Sequence, residues 1–353
     1  MRGVCLLAIF VLPAFTTTYD YVPFTGPGGA QIQPTAVNDS GQIVGAYTDS
    51  KGTSHGFLRA PNGALTTIDV PGAAATTIAG INSSGWIAGS YATVCCQLNR
   101  GFLLSPDLKT FTTLTIGTNQ TIVTAINNSG QVTGYTEFGT LGFIAGVGQS
   151  PVTFQLPDYG TFPTSINNRG DVVGYGDDGR HMQAFRRITD GTIAQIGLGN
   201  GSTATAINDS YQIVGSFPVP SKGPAAYLRD AYGNMTSLQG SKAVAINNNG
   251  QVVGNLGPYG LYNPDGSYVV VSLPGAVGST PVAINGSGVI AGTYYLGLPN
   301  GDSQTFGYVA TPMVTTAGPL IRTYHGVSGA SGFGGSLASA PGSWIEIYGV
   351  NLA

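Results

Sequence analysis

The densest group of reactive side chains in this sequence is Asp177-Asp178-Gly179-Arg180-His181, two carboxylates and an imidazole in one short stretch. Carboxylate and imidazole are the parts of a general acid/base pair or a metal site; the plainer reading is a solvated turn. Little else can join them: the only other histidines are His55 and His325, and the only glutamates are Glu137 and Glu346. A second group is aromatic. Tyr47, Tyr91, Phe217 and Tyr294 recur at one position of a repeated strand, with Tyr135 and Tyr175 displaced by one residue. Ringed around a common mouth, they would offer flat apolar faces with a polar rim, as sugar sites do; the alternative is packing between sheets. Metalloprotease, nucleophile-elbow, phosphate-loop and calcium-loop signatures are all missing from the sequence. No catalytic residue, metal ligand or cofactor is therefore assigned. A paired-carboxylate hydrolase would have to use aspartates such as Asp49, Asp177, Asp178 and Asp302.

What positions these residues is a repeat. The stretch Thr124 to Gly134, with its turn at Asn127-Asn128-Ser129-Gly130, has six further copies with turn asparagines at Asn38, Asn82, Asn167, Asn208, Asn247 and Asn285. Seven residues after each asparagine stands a glycine: Gly45, Gly89, Gly134, Gly174, Gly215, Gly254 and Gly292. Four short strands, a to d, fit each copy, and four strands in about 40 residues is the pattern of a β-propeller blade. In the second copy they are expected at Thr77 to Ile81, Trp86 to Tyr91, Gly101 to Leu104 and Thr110 to Ile116. A glycine three residues after the asparagine supplies the positive φ of a tight turn in six copies; Tyr211 replaces it in the fifth, which predicts a looser or differently shaped turn there. Before each asparagine comes a β-branched residue, and before that a small one, as in Ile126 and Ala125. Strand residues alternate between faces, so a bulky face of one blade can nest against a small face of its neighbour. The terminal glycine of strand b is expected to permit a close backbone approach or a bulge.

The seventh copy lacks strand d, whereas Thr17 to Phe24 resembles a spare one. The reading is an all-β protein: a seven-bladed propeller of four-stranded antiparallel blades over residues 16–312, closed by the N-terminal strand. Residues 1–15 read as a secretory signal peptide that would take Cys5 with it, leaving Cys95 and Cys96 without a catalytic role. Residues 313–353 read as a short C-terminal extension: a linker and the truncated start of an immunoglobulin-like module, where Pro341 to Gly349 alternates like a strand.

With 8% charged residues and a formal charge of −3, the chain lacks the basic field that nucleic acid requires. No segment after the leader has the roughly 20 apolar residues of a membrane span.

The repeated Ile-Asn-x-x-Gly-x-Val-x-Gly, followed by a small-aromatic pair such as His55-Gly56-Phe57, resembles the HAF-type extracellular repeat family of bacteria. Other copies read Arg100-Gly101-Phe102, Leu141-Gly142-Phe143, Gln183-Ala184-Phe185 and Ala225-Ala226-Tyr227, so the histidine is lost while the pair persists. The resemblance implies secretion or surface display and no particular reaction. Three readings stay open: a secreted or cell-surface binding or adhesion module for a glycan or a protein, a propeller-type glycan hydrolase or lyase, and a structural surface spacer.

Overall fold

The structure, a computed structural model, describes residues 18–313 except 94–98, 118–119, 137–139 and 298–302, together with 327–329 and 345–347. The signal peptide, the three cysteines, Glu137, Asp302, His325 and most of the C-terminal extension lie outside the described residues.

Seven four-stranded sheets account for the compact unit Tyr21–Thr311. In blade 1, strands a to d are Ile32–Val37, Ile43–Thr48, Ser54–Arg59 and Leu65–Ile68. Blade 2 runs Ala73–Ile81, Ile87–Thr93, Asn99–Leu104 and Phe111–Leu114, so strand a starts earlier and strand d is shorter than the sequence predicts. In blade 7 the order is Gly278–Ile284, Ile290–Gly297, Ser303–Met313 and then Thr18–Phe24, which takes the place of strand d. There Phe24 packs where a Cβ of Gly307 would lie, and Tyr21 meets Tyr308 edge-on at 6.1 Å. Neighbouring strands a touch all the way round, the seventh meeting the first. The ring is closed by the N-terminal strand. Outside this unit, Val327–Gly329 pairs antiparallel with Ile345–Ile347.

The small and bulky positions interlock from blade to blade. Val37 packs with Ala283, Ile81 with Ala36, and Ile166 with Ala125; Ile126 sits 3.3 Å from where Gly80 would carry a Cβ. Every strand a also slips its register just before the small position, as between Pro34 and Ala36, and strand a of blade 2 slips a second time between Ala73 and Ala75. The bulge pushes a strand-a carbonyl onto the seven repeated glycines; Gln33 O and Ile122 O occupy the space a Cβ would need at Gly45 and Gly134. The bulge is therefore in strand a, and the glycine in strand b receives it. Opposite these glycines on strand c lie Phe57, Phe102, Phe143, Phe185, Tyr227 and Tyr308, all fully buried. The aromatic of each small-aromatic pair thus fills the space its glycine leaves empty.

The turn asparagines do more than shape turns. Each is buried, and each Oδ1 accepts the N–H of the residue four positions on, at 2.9–3.0 Å. Each Nδ2 reaches the next blade and donates to the backbone carbonyl of that blade's asparagine. The chain runs Asn38, Asn82, Asn127, Asn167, Asn208, Asn247, Asn285 and back to Asn38, with every link between 2.9 and 3.2 Å. In four blades a glutamine takes the second amide hydrogen, as Gln42 and Gln131 do. Aspartate could not take the post because it cannot donate, and serine is too short to cross.

Tyr211 corrects the expectation for the fifth turn. Its N–H bonds Asn208 O at 3.1 Å, as Gly41 bonds Asn38 O at 3.0 Å, so the turn keeps the shape of the others. Tyr211 does so at φ 63°, a costly conformation for a residue with a side chain. The guanidiniums of Arg169 and Arg186 lie over its ring, 5.0 and 4.6 Å from the centroid, and offset that cost.

Replacing Asn127 by alanine removes one link and leaves buried turn groups unpaired. Urea unfolding is expected to show a loss of about 2–4 kcal/mol, and Gly134→Ala should destabilise at least as much because its methyl meets backbone, which cannot move aside.

Candidate functional site

On the a–b turn side, the seven inner strands surround a cavity of about 260 Å³. Its wall is the asparagine ring with the β-branched residues beside it. Each ring amide grips its own turn and its neighbour, so the ring is first of all scaffold. The mouth is also lined by the residue after each asparagine: Asp39, Ser83, Asn128, Asn168, Asp209, Asn248 and Gly286. Apart from half-buried Asp209, these are exposed.

They form a second ring. A backbone N–H of one blade donates to the side-chain oxygen of the next: Ser83 to Asn128, Asn128 to Asn168, Asn168 to Asp209, Asp209 to Asn248 and Gly286 to Asp39, at 2.8–3.0 Å. Asp209 also accepts from the amides of Asn168 (2.7 Å) and Asn248 (2.8 Å), and Asp39 accepts from Ser83 Oγ (2.8 Å). Two carboxylates thus face a mouth whose second ring is otherwise built of three amides, one hydroxyl and a glycine. Sequence reasoning missed this position because its residue type varies. The available signal was that it is polar or glycine in all seven copies and follows an asparagine that faces the centre.

The residues singled out from sequence lie toward the other ends of these strands. Tyr47 and Tyr294 are buried, and Tyr91, Tyr135, Tyr175 and Phe217 are half-buried. Most face a ring of their own or the next blade. Tyr47 stacks on His55 and Tyr294 on Phe306, both at 5.1 Å; Phe162 stacks on Tyr175 at 5.1 Å and takes the edge of Tyr135 at the same distance. Phe217 meets Tyr227 edge-on, and Tyr91 lies tilted against Phe102. The hydroxyls of Tyr47 and Tyr91 bond Thr67 and Thr113. Burial holds the Tyr175 and Tyr294 hydroxyls above the ordinary phenol range.

Two histidine–aspartate groups complete this side. Asp177 and Asp178 close the b–c turn of blade 4 by accepting the N–H groups of Gly179 and Arg180. His181 Nδ1 lies 2.9 Å from Asp178 Oδ2, and this bond, with the N–H of Arg180, pulls the exposed Asp178 carboxyl down to about 2. In blade 1, His55 lies between two carboxylates, Nδ1 2.9 Å from Asp69 and Nε2 3.5 Å from Asp49. Among the described residues, no contact joins the Asp178–His181 pair to the His55 group, and no cluster of three or more potential metal ligands occurs.

Partial burial lowers the His55 pKa, but Asp69 and Asp49 outweigh it and the net shift is upward. The Asp49 carboxyl is held below the usual range, chiefly by the Thr53 N–H. A raised histidine stabilises fully below its unfolded value of about 6.5, and that gain fades as pH climbs through the folded value. The depressed Asp49 contributes above about pH 4 and loses its contribution on acidification. The thermal midpoint of wild type minus that of His55→Gln should therefore be largest near pH 5–6 and shrink by pH 8.

This architecture defines a seven-bladed β-propeller with a polar central mouth. Solved structures of that class are similar to it in fold. Virginiamycin B lyase from Staphylococcus aureus, crystallised in a catalytically inactive form with quinupristin, superposes with a TM-score of 0.56 at 12% identity, over 83% of this chain and 99% of that one. The β-propeller domain of the trilobed protease from Pyrococcus furiosus, described as having an open velcro topology, gives 0.55 at 11% identity, over 79% and 93%. At such identities the likeness concerns fold alone. No protein-family model matches the sequence, and no curated protein matches it.

Proposed function

We propose that this chain is a binding module, secreted or held at a cell surface, whose ligand is a glycan seated in the central mouth. The observation that carries the reading is the second ring: amide donors and carboxylate acceptors facing one small cavity. Hydroxyl groups both donate and accept, and such a lining suits them. The half-buried aromatics support the site less well, since their faces are largely taken by neighbours. Export is supported by the apolar N-terminal segment and the HAF-type repeat. On a glycan array, wild type and Tyr91→Ala should bind the same sugars, whereas the double variant Asp39→Ala/Asp209→Ala should lose about tenfold or more in affinity. Loss of binding in Tyr91→Ala alone would move the site to the aromatic side.

A second reading, a glycan hydrolase or lyase, rests on His55, where two carboxylates flank one imidazole. It requires His55→Gln to abolish release of new sugar ends from a bound glycan.

A further inference from the structure

The second ring departs from its pattern at two steps: between blades 1 and 2 Ser83 Oγ donates to Asp39 instead of accepting its N–H, and in blade 7 a side chain is missing altogether. In four consecutive steps, from Ser83 to Asn248, a backbone N–H is taken by the side chain of the next blade. The next step would run from the N–H of Asn248 to residue 286, which is glycine and has no side chain. The space is open. A Cβ built on Gly286 would meet only Asp39 within contact range, at 3.1 Å from Oδ1. Gly286 does not carry a positive φ, so the backbone conformation does not demand glycine there. Asparagine serves at the matching position of three other blades, Asn128, Asn168 and Asn248. What glycine provides is room.

From this gap, and resting on the reading of the mouth as a glycan site, we infer that one hydroxyl of the ligand sits where a side chain at 286 would be. It would accept the Asn248 N–H and donate to Asp39. Asp39 has capacity for it: Oδ1 accepts only Gly286 N–H at 2.9 Å, Oδ2 only Ser83 Oγ at 2.8 Å, and each carboxylate oxygen can take two donors. Asp209 is less available, because two amides already share its Oδ2. The pairing of one donor with one acceptor selects chemistry. A carboxylate ligand cannot donate to Asp39 and would be repelled by it, and an ammonium cannot accept from Asn248. A neutral sugar hydroxyl does both. The ligand class is therefore an uncharged hexose or N-acetylhexosamine, entering over blades 6, 7 and 1.

The test uses the full chain, followed by amide NMR while galactose, mannose, glucose or N-acetylglucosamine is added, with sodium acetate and ethylammonium chloride as single-function controls. At least one sugar is expected to shift the Asn248 amide signal saturably, and neither control to do so. Gly286→Asn should fill the gap with the chain's own amide, weaken that sugar by about tenfold or more, and leave the thermal midpoint unchanged or higher. That midpoint separates occlusion from misfolding. Gly286→Ala, which adds a methyl but no acceptor for the Asn248 N–H, should fold normally and weaken the sugar less. Sugars that shift other mouth amides but not Asn248, or a Gly286→Asn protein that binds like wild type, would overturn this inference and leave the glycan reading standing. Failure of every sugar to shift any mouth amide would overturn both.

Discussion

One circular run of hydrogen bonds constrains the rest of this molecule. Each turn asparagine grips its own turn through Oδ1 and the next blade through Nδ2, and the seventh bonds the first. A buried amide left unpaired costs more than a paired one gains, and closure leaves no end of the run unpaired. In this molecule the run closes at seven, where the last donor finds the first carbonyl. The bulge in strand a, the glycine that receives its carbonyl and the aromatic that fills the space over that glycine all serve to bring this strand to the centre at one height.

Because the ring amides hold turns and blades together, variation is left to the residue that follows each of them. That position tolerates Asp, Ser, Asn and Gly, since its side chain touches only the outer ring and solvent. The scaffold is close to seven-fold while the rim is not. Carboxylates stand in blades 1 and 5, a tyrosine held at positive φ beneath two guanidiniums stands in blade 5, and a glycine stands in blade 7. Departures from a repeat are where selection on something other than packing becomes visible.

Most of the fold was legible in the sequence because its determinants are local and repeated. The spacing of Asn and Gly, the β-branched residue beside the small one, and the spare strand at Thr17 to Phe24 each state a rule seven times or resolve a count. Two features were not legible. The reach of Asn127 Nδ2 to Asn167 O depends on how neighbouring blades are tilted, which no single repeat encodes. The turn at Tyr211 keeps its shape because Arg169 and Arg186 come from the adjacent blade to cover the ring. The candidate site was harder still. Aromatics and the Asp177–His181 cluster attract attention by type, yet much of that chemistry is spent on neighbours, whereas the mouth draws on residues that look ordinary one repeat at a time.

The closing strand carries a consequence for biogenesis. Tyr21 and Tyr308 meet in the finished molecule although nearly the whole repeat array separates them along the chain. During vectorial synthesis the Thr18–Phe24 ribbon must wait, unpaired, until the blade 7 strands exist to receive it, and contacts of such long sequence separation form slowly. Until then both free edges can pair with other chains. Shielding the region around Tyr21 during synthesis would therefore protect the chain where it is most open to mispairing.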